Sequence, residues 1–158
     1  MARRPSSPAA FVVATFSGLL LLVAGCVAAF DVLTPEKCGG DFKEVRVSSC
    51  PKLPCVFERG KSASVEVDFV PVESFDKLRA SFRGEVSPNQ WLPMPGFKRQ
   101  ACSKSGLQCP LEGGKLYTFS RTINVLPAFP ALELTAEIRL EDANSTKIFC
   151  FYVPVKIV

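Results

Sequence analysis

A strict alternation of apolar and polar side chains near the C-terminus constrains the fold most strongly. Over residues 132–140 the apolar residues are Leu132, Leu134, Ala136, Ile138 and Leu140, and the polar residues between them are Glu133, Thr135, Glu137 and Arg139. Successive side chains of a β-strand point to opposite faces, so this pattern predicts a strand with one buried face and one solvated face. The polar segment 141–147 then turns the chain, and 148–158 returns as an apolar, β-branched run. We therefore predict a long antiparallel hairpin, and Pro154 predicts a sheet edge or bulge nearby because proline cannot donate to a ladder.

Four further segments are predicted to form strands. Apolar residues alternate with polar ones over 42–48 and 62–69, and more weakly over 77–84 and 116–125. Helical periodicity is not evident, and proline and glycine separate the segments. About seven short antiparallel strands punctuated in this way are typical of an all-β, immunoglobulin-like β-sandwich.

The N-terminal segment 1–29 is predicted to be a cleaved secretory signal peptide. Arg3 and Arg4 precede an uncharged apolar segment that ends at the small residues Val27-Ala28-Ala29. A signal anchor is one alternative, because the apolar run is about as long as a bilayer requires. A bacterial lipoprotein signal is another, because the segment 22–26 is similar to a lipobox. Cleavage would leave one domain, 30–158, secreted to the extracellular space or delivered to the lysosome.

Cysteine content predicts an exported, oxidised domain. After the signal peptide six cysteines remain: Cys38, Cys50, Cys55, Cys102, Cys109 and Cys150. Six cysteines in an exported domain indicate three disulfides, for which fifteen pairings are possible. The pairs Cys50/Cys55 and Cys102/Cys109 are each close enough in sequence to form short loops, which would leave the first and last cysteines to pair with each other.

Two proline-rich loops are unusually apolar. Segments 87–97 and 126–130 carry Trp, Met and Phe between prolines, whereas surface turns are normally rich in Gly, Asn, Asp and Ser. They could form the rim of an apolar pocket or plug the end of the sandwich. Trp91 could likewise anchor the protein at an interface or pack beneath its loop. Lys98 and Arg99 could contact anionic membranes or form a solvated basic turn.

Composition excludes several classes of function. The sequence contains no His, which excludes a Ser/His/Asp triad, a Cys/His pair and a His-containing zinc site. Glu133 and Glu137 share the face predicted to be solvated, where no cleft is expected for a glycosidase pair. Loss of Arg3 and Arg4 would leave a net charge of +2, which argues against nucleic-acid binding. We predict a protein that is not an enzyme and needs no cofactor or metal.

Motifs around the cysteines and prolines resemble those of a known family. The residues that carry it are Cys38-Gly39, Ser49-Cys50-Pro51, Pro54-Cys55, Lys104-Ser105-Gly106-Leu107-Gln108-Cys109-Pro110, Phe129-Pro130 and Phe149-Cys150-Phe151. Together they make the chain similar to the Niemann–Pick type C protein 2 family of ML (lipid-recognition) domains. The resemblance covers essentially all of residues 31–158.

The resemblance implies two sheets splayed around a lipid cavity, with disulfides Cys38–Cys150, Cys50–Cys55 and Cys102–Cys109. It also implies a lipid-binding set formed by Val65, Val67, Met94, Val125, Phe129, Leu132, Leu134, Ile138, Phe151 and Val153. Met94 stands where family members often have Phe, and Ile138 and Phe151 stand where Trp is common. The implied ligand is a sterol such as cholesterol, a fatty acid or a similar small lipid, with its headgroup near Met94, Val125 and Phe129.

The leading hypothesis is a secreted or lysosomal lipid-binding and transfer protein. The alternatives are an innate-immune recognition module that binds microbial lipid for a receptor, and an adhesion-type sandwich with a packed core. A monomer is expected, with transient membrane or receptor contact through the Trp91 loop. The Asn144-Ser145-Thr146 sequon in the hairpin turn predicts glycosylation at Asn144.

Overall fold

The computed structural model describes residues 29–158, so the predicted signal peptide lies almost entirely outside the described residues and stays a prediction. Within these residues there are ten strands: β1 (Phe30–Leu33), β2 (Glu36–Gly40), β3 (Glu44–Ser48), β4 (Cys55–Phe57), β5 (Ser62–Phe69), β6 (Arg79–Ser87), β7 (Gln90–Pro93), β8 (Tyr117–Asn124), β9 (Leu132–Glu141) and β10 (Lys147–Ile157). In this part of the chain, no helix has the length and hydrophobicity needed to cross a membrane.

The strands form two sheets, which confirms the predicted all-β sandwich. One sheet has the order β1-β3-β5-β8, and the other has the order β2-β10-β9-β6-β7, with β4 also paired to β10. There are ten strands rather than about seven, because residues 30–40 form β1 and β2, the Cys50–Cys55 loop leads directly into the short strand β4, and the loop 87–97 contains the short strand β7. The β4–β10 pairing is parallel. The other pairings are antiparallel, as predicted.

The predicted C-terminal hairpin is formed by β9 and β10 at the centre of the larger sheet. Leu134 pairs with Val155 and Ile138 pairs with Phe151, so the apolar residues of both strands share the inner face. On the other side of β10, the β2 pairing ends at Tyr152 and the β4 pairing begins at Val155. Pro154 therefore lies at a local edge between two short strands, as its missing N–H requires.

The outer face of the hairpin departs from prediction at Glu137. Its side chain was expected to be solvated, but the residue is only 2% exposed. Arg83 donates two hydrogen bonds to the carboxylate, from Nε to Oε1 at 2.9 Å and from Nη2 to Oε2 at 2.6 Å. The Trp91 ring stacks on Tyr152 with the ring centres 5.6 Å apart, and the Arg83 guanidinium lies 5.1 Å from the Trp91 ring. Strand β7 thus packs Trp91 on the outer face of the sheet, which covers the ion pair.

Aromatic side chains fill one end of the space between the sheets, which we call the packed end. Phe149 is fully buried, and its ring centre lies 5.3 Å from that of Phe69, 5.7 Å from that of Phe119 and 6.1 Å from that of Phe151. Phe42 meets Phe151 edge to face at 5.3 Å. Edge-to-face and offset pairs at these distances are favourable beyond their buried area.

Three disulfides have the pairing that the resemblance implied: Cys38–Cys150, Cys50–Cys55 and Cys102–Cys109. The first joins β2 to β10 beside the aromatic cluster and closes the longest loop, with a sequence separation of 112 residues. The second joins the end of β3 to β4. The third closes a loop between β7 and β8.

Candidate functional site

The end of the sandwich opposite the aromatic cluster contains a cavity of about 270 Å³, and we call this region the cavity end. Its walls come from both sheets: β5 and β8 on one side, and β6, β9 and β10 on the other. The proline-rich loops complete the cavity at its mouth. The structure thus favours the rim interpretation of these loops over the plug interpretation, since space remains behind them.

The cavity stays open because small residues lie side by side in one of its walls. Gly84 of β6 pairs directly with Ala136 of β9, and both line the cavity. In β10 the inward residues change from Phe149 and Phe151 at the packed end to Val153, Val155 and Ile157 at the cavity end. Protein interiors normally pack without such voids, so a cavity this size indicates selection for an occupant rather than for stability.

Eight of the ten predicted lipid-binding residues lie on the cavity wall: Val65, Met94, Val125, Phe129, Leu132, Leu134, Ile138 and Val153. Val67 and Phe151 do not. Both are fully buried in the packed end, where Phe151 contacts Phe42 and Phe149. They share strand faces with Val65 and Val153, but they lie two residues further along, where aromatic rings fill the gap between the sheets. Contact between the eight wall residues and a bound lipid stays a prediction.

Several wall residues were missed by sequence reasoning although strand parity could have identified them. Three such residues line the cavity: Ile123 of β8, and Val155 and Ile157 of β10. They lie on the same strand faces as residues that were predicted to bind lipid. Phe57 of β4 also lines it, but a three-residue strand carries too short a pattern to reveal its inward face.

The rim of the cavity presents exposed apolar side chains. Leu92 is 50% exposed and Val86 is 38% exposed, and both contribute to the cavity lining. Across the mouth, Phe129 lies in a turn closed by a 3.0 Å hydrogen bond from its backbone N–H to the Leu126 carbonyl. Leu126 is itself 38% exposed. An apolar rim of this kind lets a hydrophobic ligand pass without crossing a ring of charge.

The cavity wall contains almost no polar side chains. Among its lining residues only Ser64 and Arg83 carry polar side chains, and both are engaged elsewhere. Ser64 Oγ lies 3.1 Å from Thr122 Oγ1, while Arg83 binds Glu137 on the outer face. The hydrogen bonds from Arg83 to Glu137 also raise the pKa of Arg83, so its charge is fixed to that carboxylate.

A group of potential metal ligands lies on the outer face, away from the cavity. One ligand atom from each of Cys38, Glu137 and Cys150 falls within 4.8 Å of the others. Both sulfurs are joined in a disulfide, so neither is available as a thiolate, and Arg83 already occupies the carboxylate. The group therefore does not fit a metal ion.

Together these features define a disulfide-bonded β-sandwich with an apolar cavity between its sheets, a class of protein suited to holding a hydrophobic ligand. The comparison with protein families identifies the class more closely. Residues 33–157 match the ML domain model, and the chain belongs to the ML-domain family.

Curated relatives and solved structures agree with this assignment. The chain is 34% identical to the NPC intracellular cholesterol transporter 2 of Mus musculus, over 88% of this chain and 93% of the relative. It is 31% identical to the corresponding protein of Bos taurus, over 87% and 93%. The crystal structure of a Niemann–Pick type C2 protein from the Japanese carpenter ant superimposes with a TM-score of 0.73 and 28% identity, covering 80% of this chain and all of that one. The resemblance to the Niemann–Pick type C protein 2 family is confirmed.

Proposed function

We propose that the protein binds a sterol, a fatty acid or a similar small lipid in the cavity and transfers it between membranes or partner proteins. The apolar cavity of about 270 Å³ between the sheets carries this proposal. Its volume is close to the lower end of the ~300–1,000 Å³ range of small-molecule sites. Similarity to proteins named as cholesterol transporters supports a lipid as the occupant.

Removal of hydrocarbon from water drives uptake, at about 25 cal/mol per Å² of apolar surface buried. The polar group of the ligand stays close to the mouth, near Met94, Val125 and Phe129, because an unpaired hydroxyl buried deeper costs about 1–3 kcal/mol and a charge costs far more. The ligand therefore enters hydrocarbon first.

The remaining parts of the proposal concern the protein's surroundings. We infer a monomeric, non-enzymatic carrier that is secreted or delivered to the lysosome, with glycosylation at Asn144 in the exposed hairpin turn. The exposed rim side chains Leu92 and Val86 support transient contact between the cavity mouth and a membrane or receptor. Trp91 contributes to that contact through β7, whose position it fixes on the sheet, rather than as a freely inserting anchor.

The proposal is tested first by substituting Phe129 at the mouth. Phe129→Asp places a carboxylate on the wall, and we expect uptake of a fluorescent sterol or fatty-acid probe to fall at least about tenfold because the charge must remain hydrated. The free energy of unfolding of Phe129→Asp should differ from that of the wild type by about 1 kcal/mol or less, since the Phe129 side chain is only partly buried. Leu116→Asp is the matched control, because Leu116 is exposed and lies outside the cavity. Unchanged uptake by Phe129→Asp would place the mouth elsewhere.

Two further measurements separate the proposal from its alternatives. Organic extraction of the purified protein, followed by mass spectrometry, should recover lipid, whereas an adhesion-type sandwich would yield none and would bind no displaceable probe. Lipid transfer between liposomes should be faster with the protein than without it. Binding to lipopolysaccharide without such transfer would instead favour an innate-immune recognition module.

A further inference from the structure

One positive charge lies on the inner face of the sandwich. Arg121 of β8 has the same parity as Phe119 and Ile123, and it pairs with Val65 of β5. Phe119 belongs to the packed end, whereas Ile123 and Val65 line the cavity. Residues on the same face of a strand are about 7 Å apart, so Arg121 lies within one side-chain spacing of the cavity wall.

The contacts of Arg121 are to backbone carbonyls and an aromatic ring. Nη2 donates hydrogen bonds to the carbonyls of Lys98, at 3.3 Å, and of Gln100. The guanidinium also lies 5.5 Å from the centre of the Phe97 ring. That ring packs at 4.7 Å against Phe82, which lines the cavity. Arg121 Nε is buried and has no hydrogen-bond partner within residues 29–158.

Other partly buried arginines differ from Arg121 in having carboxylate partners. Arg46 binds three carboxylates, Arg83 binds Glu137, and Arg139 has Glu137 and Glu141 oxygens at 3.4 and 3.2 Å. Within the described part of the chain, Arg121 has no acidic group within ion-pair distance. The pKa values follow the same division: carboxylate partners raise those of Arg46 and Arg83, whereas burial lowers that of Arg121.

We propose that Arg121 recognises the carboxylate of an anionic single-chain lipid, so that the cavity prefers a long-chain fatty acid over a neutral lipid of the same length. This inference rests on the proposed function and narrows its ligand class. Arginine and carboxylate groups form short, often bidentate hydrogen bonds, and the two carbonyls leave the net charge of Arg121 uncompensated. A ligand carboxylate would supply that charge.

The proposal also predicts the orientation of the ligand. A neutral lipid keeps its hydroxyl at the mouth, whereas the carboxylate of a fatty acid is paired with Arg121 beside the segment that carries Met94 and Phe97, at the junction of the two ends. Its acyl chain extends from there along Val65 and Ile123 within the cavity. A partly buried charge is stable when an opposite charge and hydrogen bonds accompany it. An alcohol or sterol hydroxyl provides a hydrogen bond but not the charge, so it gains less from Arg121.

Paired ligands test this preference directly. Affinities for palmitate and 1-hexadecanol, which share a chain length, are measured at neutral pH by displacement of a fluorescent probe. We expect the wild-type protein to bind palmitate at least about tenfold more tightly, in line with the greater strength of charge-assisted hydrogen bonds. Arg121→Met, which keeps an apolar stem, should abolish that preference while changing hexadecanol affinity by about twofold or less. Arg121→Lys, which retains the charge, should keep part of the preference for palmitate.

Arg139→Met is the matched control, because Arg139 also has a buried Nε without a hydrogen bond but lies on the outer face with carboxylate neighbours. It should leave the ratio of palmitate to hexadecanol affinity unchanged. If Arg121→Met lowered the affinities for palmitate and hexadecanol equally, Arg121 would serve only to hold the Lys98–Gln100 backbone, and the proposal would be overturned. An unchanged ratio would overturn it as well. A wild-type protein that binds neither these lipids nor a sterol would instead refute the proposed function itself.

Discussion

The packed end and the cavity end of the sandwich are built from the same strands but differ in side-chain size. Inward positions at the packed end carry Phe69, Phe119, Phe149 and Phe151, all fully buried. At the cavity end, the inward positions of these strands and of β6 and β9 carry mainly Val, Ile, Leu, Ala and Gly84, and a cavity opens between the sheets. The packed end therefore stabilises the fold, so that the cavity end can remain unfilled.

Covalent links reinforce this division. Cys38–Cys150 lies at the packed end and closes a loop of large sequence separation, while Cys102–Cys109 spans only 7 residues. A long closed loop constrains the unfolded chain more than a short one does. The packed end therefore combines dense aromatic packing with the disulfide that restricts the unfolded state most.

The largest expected effect comes from opening the long disulfide. Cys38→Ser with Cys150→Ser should lower the free energy of unfolding by about 5 kcal/mol, as loop-closure entropy predicts for this separation. Cys102→Ser with Cys109→Ser is the matched control and should lower it by about 2.5 kcal/mol. Urea unfolding followed by fluorescence provides both values. Equal losses would show that loop length does not decide the contribution of these bonds.

Enlarging an alanine at each end tests the difference in packing. Ala80 is 1% exposed in the core and pairs with Leu140, so Ala80→Leu should destabilise the protein by about 1–3 kcal/mol through overpacking. Ala136 faces the cavity, so Ala136→Leu can enter open space and should change stability by about 1 kcal/mol or less. Probe uptake should fall only in Ala136→Leu. Similar destabilisation by both substitutions would mean that the cavity cannot accept a larger side chain.

A smaller effect is expected on the outer face of the packed end, where Asp68 binds Arg46. Hydrogen bonds from Arg46, with Nη1 to Oδ2 at 2.7 Å, lower the pKa of Asp68 below the ordinary aspartate value of 3.8. A lowered pKa contributes stability at neutral pH, and that contribution is lost as pH falls through the folded-state value. Asp68→Asn should therefore reduce stability by about 1–2 kcal/mol at neutral pH.

The difference between wild type and Asp68→Asn should shrink as the pH is lowered below 3.8, because the wild-type carboxyl then becomes protonated. Denaturant unfolding at a series of pH values measures this. Asp76→Asn serves as the control, since Asp76 forms no ion pair among the residues described. A difference for Asp68→Asn that persists at acid pH would show that its ionisation does not contribute.

Prediction from the sequence succeeded where a pattern was contiguous and extended over many residues. The alternation over 132–140 identified β9 and its inner face, and the similarity of the cysteine motifs to one family gave the observed disulfides. It was incomplete for β4 and β7, because strands of three and four residues carry too little periodicity to be recognised. Glu137 was wrongly expected to be solvated because its burial depends on Arg83, a residue 54 positions away.

By itself, the sequence determined that the chain forms an oxidised β-sandwich with apolar inner faces, because strand alternation and cysteine spacing are local or directly readable. Only the tertiary structure decided which inward residues pack and which enclose space. Val67 and Phe151 share faces with Val65 and Val153, yet only the latter pair reaches the cavity. Alternation reports the face of a strand, whereas the distance between the two sheets depends on every residue that meets across the gap.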